Sequence, residues 1–225
     1  MASRRLTAGA SLVDYRCAPD AALNLVTCAF TQPLAAKMEA AFGLPYAPLH
    51  SAFSVTAIDA VYAQIADAFA LSWGGIFDEI SAQAAALEQR ARRELAGRTF
   101  AMLPGVDMPI ALASYLADLG MEPLIIHVDD LHPEDLGYAK GLVAMGLNPP
   151  VCRMMNLDVD IEIVQGLRPD ISFGWLPNDV LSSHAFPVAE EMGDFLGMAG
   201  YERTVGILSR IFTVLETGTS RLGRG

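Results

Sequence analysis

At 225 residues the chain has room for one large domain or two small ones, and 52% hydrophobic against 18% charged residues excludes disorder over most of its length. Twenty-six acidic against 15 basic residues give a net charge of −11, with no Lys/Arg cluster to neutralise phosphates, so nucleic acid is excluded as a partner. No apolar run approaches the ~20 residues that span a membrane. The three cysteines, Cys17, Cys28 and Cys152, make no disulfide framework and point to a reduced, cytoplasmic compartment. At the N-terminus Arg4 and Arg5 precede a short apolar stretch that Asp14, Arg16 and Asp20 interrupt, so it does not read as a signal peptide.

In chain order, the first element is the run Leu23-Asn-Leu-Val-Thr-Cys28, apolar with β-branched content, which predicts a buried strand. A helix follows over about residues 32–42, with Leu34, Met38 and Ala41 at helical spacing and Gly43 placed to cap its C-terminus. Leu44-Pro45-Tyr46 starts another extended segment. Helices are then predicted over about residues 57–70 and 76–96, the second rich in Ala, Glu and Arg and stopped by Gly97; its Arg90, Arg92 and Arg93 read as a solvated face. The pattern restarts with a strand over residues 99–103, a Pro104-Gly105 turn, and an amphipathic helix over 108–119 capped at Gly120. Strands over 121–128, 150–154 and 170–174 then alternate with helices over 133–145 and 158–166, and a last helix covers about 201–216.

Strands alternating with helices of about 10–15 residues predict an α/β fold, with parallel sheets carrying helices on both faces in the Rossmann-like manner. A boundary near Gly97 divides the chain into two units, a partial one over residues 1–96 that includes the bridging helix, and a second over 97–225. In open sheets of this kind ligands collect beyond the carboxyl ends of the strands. The segments to inspect are therefore residues 27–31, 104–108, 127–132 and 174–178.

Cys28 closes the first predicted strand just ahead of a helix, where a cysteine can serve as a soft metal ligand. The alternative is a buried cysteine acting as a small hydrophobe, as Cys152 is read. Asp129 and Asp130, with His127 and His132, offer hard and borderline metal ligands at a strand end, or equally turn and helix-cap groups. Pro104-Gly-Val-Asp-Met108 has a single glycine and is no dinucleotide fingerprint. A Walker lysine, a G-x-S-x-G elbow and a CxxC pair are missing from the sequence.

Several stretches, in order, resemble the nitrogenase component 1 type oxidoreductases. Leu23-Asn-Leu-Val-Thr-Cys28 followed by Lys37-Met-Glu-Ala-Ala-Phe-Gly-Leu-Pro-Tyr46 is similar to the segment of the nitrogenase α chain and its cofactor-assembly scaffold relative in which "LNLV" runs into a cysteine and "MEEKYGIP" follows. Leu95-Ala-Gly-Arg-Thr99 and Gly120-Met121-Glu122 resemble the entry to the family's last domain. Arg168-Pro-Asp170 resembles its "KPD", and Phe186-Pro-Val188 with Gly200-Tyr201-Glu202 its closing run. Residues 192–197 also resemble the N subunit of the light-independent protochlorophyllide reductase.

The resemblance implies a three-domain relative of which this chain carries only the C-terminal part, without the first domain and its electron-relay cysteines. It also implies that Cys28 ligates an iron–sulfur-derived metallocluster, or sits beside a tetrapyrrole. His184 is the second cofactor and metal ligand, although it falls one or two residues from the family's ligand position when Phe186-Pro-Val188 is aligned. Cys17 is placed to assist. The implied partners are a paralogous subunit or a second copy, and an ATP-dependent iron–sulfur reductase that supplies electrons. The implied activity is that of an oxidoreductase subunit or cofactor-assembly scaffold. The alternative is a non-catalytic binding or assembly module that retains the fold without the redox chemistry. For subunit contact the sequence offers the last helix, with Val205, Leu208, Ile211, Phe212 and Leu215 on overlapping faces.

Overall fold

Alternation of apolar strands and amphipathic helices yields two parallel sheets in the computed structural model, which describes residues 10–153, 157–174, 188–189 and 198–217. A short helix, α1 (Leu12–Cys17), begins at Ser11, whose hydroxyl and backbone amide exchange hydrogen bonds with Asp14 in a capping box. β1 (Asn24–Val26) leads through a 3-10 turn into α2 (Gln32–Phe42), which ends on Gly43 at φ 68°. That left-handed conformation costs glycine nothing, and the cap lets the chain turn directly into β2 (Tyr46–Pro48), which pairs parallel with β1. α3 (Val55–Phe69) starts on the Ser54 hydroxyl cap and α4 (Asp78–Glu94) carries the chain to the second sheet.

The second sheet contains β3 (Thr99–Met102), β4 (Glu122–His127), β5 (Val151–Cys152), β6 (Ile171–Phe173) and β7 (Val188–Ala189), in the spatial order β5-β4-β3-β6-β7 with every pairing parallel. The strand segments expected in this sheet thus lie side by side, and β7 adds one that the sequence did not suggest. Helices α5 (Pro109–Asp118), α6 (Asp135–Ala144) and α7 (Leu157–Leu167) connect the strands, and α8 (Tyr201–Thr217) closes the described chain. The chain winds outward from β3 to β5 and then crosses back to β6, so the order reverses between β3 and β6. Such a switch point opens a crevice in doubly wound sheets. Here Gly174, at φ 111°, closes against it: a Cβ would stand 2.7 Å from the Pro104 carbonyl oxygen and 2.8 Å from that of Leu103.

The larger core is built from β3, β4, β6, α5 and α8, with Phe100 and Phe173 meeting edge-on at 5.8 Å. It also takes in Phe53, Ala91 and Leu95 from the N-terminal part of the chain. A smaller core joins Ala47, Ile58, Val61 and Ala84 to Tyr201. Helix α8 is what links them. The expectation that its apolar stripe faces a partner subunit is overturned, because Leu208 and Ile211 are fully buried within this chain and Phe212 nearly so, with Arg90 stacked 3.8 Å from the Phe212 ring centre.

Arg203 of α8 is 1% exposed and donates to the carbonyls of His50, Leu49 and Ala52 at 2.7, 2.7 and 2.9 Å, with its guanidinium over the Phe53 ring. Burial pushes its pKa down to about 10. The desolvation of that charge is offset by carbonyls that would otherwise have no donor. Thr204 adds a 2.6 Å bond to the Phe53 carbonyl. Cys152, expected in the core, is only half-buried, because β5 is an edge strand with one neighbour.

Candidate functional site

The carboxyl ends of β1, β2 and β4 converge on one buried side chain. His50, two residues beyond β2 and 4% exposed, places Nδ1 3.2 Å from the Val26 carbonyl at the end of β1. Its Nε2 lies 3.3 Å from Oε1 of Glu134, which ends the loop after β4 and caps α6. Tyr138 of α6, its phenol pKa raised by burial, hydrogen-bonds Ser51 across the same junction. The small sheet and the large one therefore meet at their strand ends, where open α/β sheets present their ligand sites.

Cys28 stands on the turn after β1, two residues beyond Val26. Its backbone is extended (φ −150°, ψ 134°) and its thiol is free and exposed. Its carbonyl accepts both the Thr31 amide at 3.1 Å and the Thr31 hydroxyl at 2.8 Å, which winds the chain into the turn that opens α2. Thus the cysteine is no core filler; the alternative of a buried hydrophobe does not hold. Two residues on, Phe30 sets its ring edge-on against His132 of the β4 loop, centres 4.7 Å apart. Four residues on, the side-chain oxygen Oε1 of Gln32 is buried without a hydrogen-bond partner, as is Oε2 of Glu134 across the junction.

The acidic loop after β4 divides its labour. Asp135 accepts the His132 amide at 2.7 Å and returns its own amide to the His132 carbonyl, which fixes the turn into α6; the N-cap residue of that helix is Glu134, and neither Asp129 nor Asp130 caps it. Burial pushes the Asp135 carboxyl up, and the His132 amide partly opposes that shift. Asp130 reaches Arg153 at 3.4 Å beyond β5, an exposed pair worth little. His127 is buried in β4. Among the described residues no three His, Cys, Asp or Glu side chains come together as a metal-binding group. Cys17, at the end of α1, is half-buried. His184 and residues 175–178 lie outside the described residues, so the strand-end segment after β6 is represented by Gly174 alone.

Reading the sequence singled out Cys28 and the β4 loop but missed His50, Gln32 and Glu134. Each sits in a helix-capping or turn context that looks ordinary in one dimension, and only their burial at a shared junction sets them apart.

Two parallel sheets, the larger doubly wound and the smaller meeting it near its strand ends, define a Rossmann-like α/β protein. The chain belongs to the nitrogenase component 1 type oxidoreductases, whose family profile matches residues 2–216. Solved structures of nitrogenase Cp1, at pH 6.5 and at pH 5, share the fold with TM-scores of 0.73 and 0.65 at 16% and 18% identity. Each match covers 94% of this chain, against 51% and 50% of the nitrogenase chains, so the chain spans about half their length. No curated protein matches the sequence. No helix among the described residues is long and apolar enough to cross a membrane.

Proposed function

We propose that this chain is a subunit of a nitrogenase-like reductase or cofactor-assembly scaffold, cytoplasmic, that holds an iron–sulfur-derived cluster at the crevice between its two sheets. The observation that carries the reading is the free, exposed thiol of Cys28 at the carboxyl end of β1, beside the junction where three strand ends meet. In this reading residues 1–96 form a partial unit and 97–225 the second, with the crevice between them.

The residues present fit such a group in kind. A thiolate is the soft ligand that iron in a sulfide cluster takes. A preformed cluster carries its own bridging sulfides and needs end anchors rather than a full set of protein ligands. That agrees with one cysteine and no three-ligand group among the described residues. Cys28 would be the first anchor and His184, which lies outside the described residues, the second. The Gln32 and Glu134 oxygens supply acceptors for donors on the bound group or on water ordered around it. When bound, the cluster would store and deliver electrons, which come from an ATP-dependent iron–sulfur reductase. A tetrapyrrole is the alternative occupant. Exposed apolar side chains on α6 (Leu136 and Val143) and on the β1–α2 side (Leu25, Phe30 and Phe42) support pairing with a paralogous subunit or a second copy.

Anaerobic purification followed by iron, sulfide and absorption analysis tests the proposal. Cys28→Ser keeps the size but replaces a thiolate by a hard, poorly ionised hydroxyl, so bound iron is expected to fall sharply with the fold intact. Cys152→Ser, on the edge strand, should leave iron in proportion to folded protein. Protein without iron, or Cys28→Ser protein that retains all of it, refutes the cluster. The second reading, a non-catalytic assembly module, then takes its place.

A further inference from the structure

Away from the crevice, a hollow of about 320 Å³ opens between α3, the start of α4 and the start of α8. Its walls carry four aromatic rings: Tyr62, Trp73, Phe77 and Tyr201. Tyr62 is the hub, with ring centres 4.7 Å from Phe77, 5.3 Å from Tyr201 and 5.9 Å from Trp73, and Trp73 meets Phe77 at 5.3 Å. The cluster is fixed rather than loose. The Trp73 indole donates to the Tyr62 carbonyl at 3.2 Å, the Tyr201 hydroxyl donates to Asp59, and Gly200, at φ 70°, leaves room for the Tyr62 hydroxyl that no side chain would leave.

The polar groups at the hollow are of one sign. Two carboxylates, Asp59 and Asp78, line it together with Ser81, and among the described residues no Lys or Arg does. Glu202 adds negative charge felt at Tyr62. Arg203, which also acts on Tyr62, points inward to its three carbonyls. Aromatic faces present the negative side of their quadrupole, so rings and carboxylates together form a surface complementary to a cation with an apolar skin. The two carboxylates disfavour an anion despite the starts of α4 and α8 beside them, and a small hydrated metal ion would find too few oxygens and too much carbon.

We propose that this hollow is a binding site for an organic cation, of the alkylated ammonium class, distinct from the crevice and independent of whether a cluster is bound there. The rings contact the alkyl groups and the two carboxylates set the charge preference.

The test uses the full chain and tetramethylammonium as the probe, with tert-butanol as the neutral isostere, at constant ionic strength. Ligand-observed NMR reads saturation transfer to the probe's methyl groups. Saturable binding of tetramethylammonium is expected, with an affinity on the order of millimolar, and clearly weaker transfer to tert-butanol. Trp73→Leu should weaken binding about two- to fivefold, the cation–π share of one ring at a part-exposed site. Asp78→Asn, on an exposed side chain whose loss leaves the fold intact, should weaken the cation and leave tert-butanol unchanged. Equal transfer to both probes, no saturation up to about 50 mM, well above the affinity expected, or an Asp78→Asn variant that binds the cation as well as the parent overturns the proposal.

Discussion

Replacing Arg203 by Met should cost about 3–5 kcal/mol, from about 1–3 kcal/mol for each buried carbonyl left without its donor, less the desolvation of the charge that is removed. Its guanidinium is buried and spends two nitrogens on three carbonyls, those of Leu49, His50 and Ala52, while covering the Phe53 ring. Methionine fills much the same space, so the packing loss is small and what remains is three acceptors with no donor in a dry place. Lysine offers a single nitrogen, too compact to serve all three carbonyls, so Arg203→Lys should fall between, at about 1–3 kcal/mol. Urea unfolding followed by far-UV circular dichroism reads both. With a slope of about 2–3 kcal/mol per molar for a chain of this size, Arg203→Met should lower the midpoint by about 1–2 M. The effect should also be local. The carbonyls that Arg203 holds flank His50, so amide exchange over residues 49–53 should accelerate before the strands of the large sheet respond. An Arg203→Met protein within about 0.5 kcal/mol of the parent, or one no worse than Arg203→Lys, would refute the view that this side chain ties the last helix to the crevice.

Two further outcomes follow from backbone and titration. Gly43 and Gly200 share a left-handed φ, but a Cβ at Gly43 meets open space and one at Gly200 runs into the Tyr62 hydroxyl. Gly43→Ala should therefore cost about 1–2 kcal/mol and Gly200→Ala clearly more in thermal melts; equal losses would mean that Tyr62 yields freely. Desolvation pushes the Asp170 carboxyl up, but the Thr99 amide at 2.7 Å, the Thr99 hydroxyl and Arg98 outweigh it and hold the group below its ordinary range. A depressed carboxylate stabilises the fold above its unfolded pKa of about 4, and that contribution is lost as pH falls through the lower folded value. Asp170→Asn should thus cost about 1 kcal/mol near neutrality, and the gap to the parent should narrow below about pH 3–4; a gap that is constant with pH would refute the assignment.

The one-dimensional pattern determined the elements. Helix α2 runs over Gln32–Phe42 with Gly43 in the left-handed cap, as the spacing of Leu34, Met38 and Ala41 with a following glycine predicts. Strands β3, β4, β5 and β6 fall inside their predicted segments, because short runs rich in apolar residues and bounded by turn residues mark strands of a covered parallel sheet. It missed α1, which buries nothing and so leaves no periodic trace, and β7, whose two residues are too few to show a period. Cys28 was legible because it ends a recognisable strand.

What the sequence could not hold is everything that depends on who meets whom. The order β5-β4-β3-β6-β7, and with it the switch point that Gly174 closes, follows from how crossovers pack on the sheet. The inward turn of α8 was hidden for the same reason. An apolar stripe says that a helix face must be covered but not by what, and here α4 and the two cores cover it from inside the chain. His50, Gln32 and Glu134 gain their significance only from burial. A polar side chain costs nothing in a solvated turn and must be satisfied in a dry one, and which of the two it occupies is decided when distant strand ends are brought together.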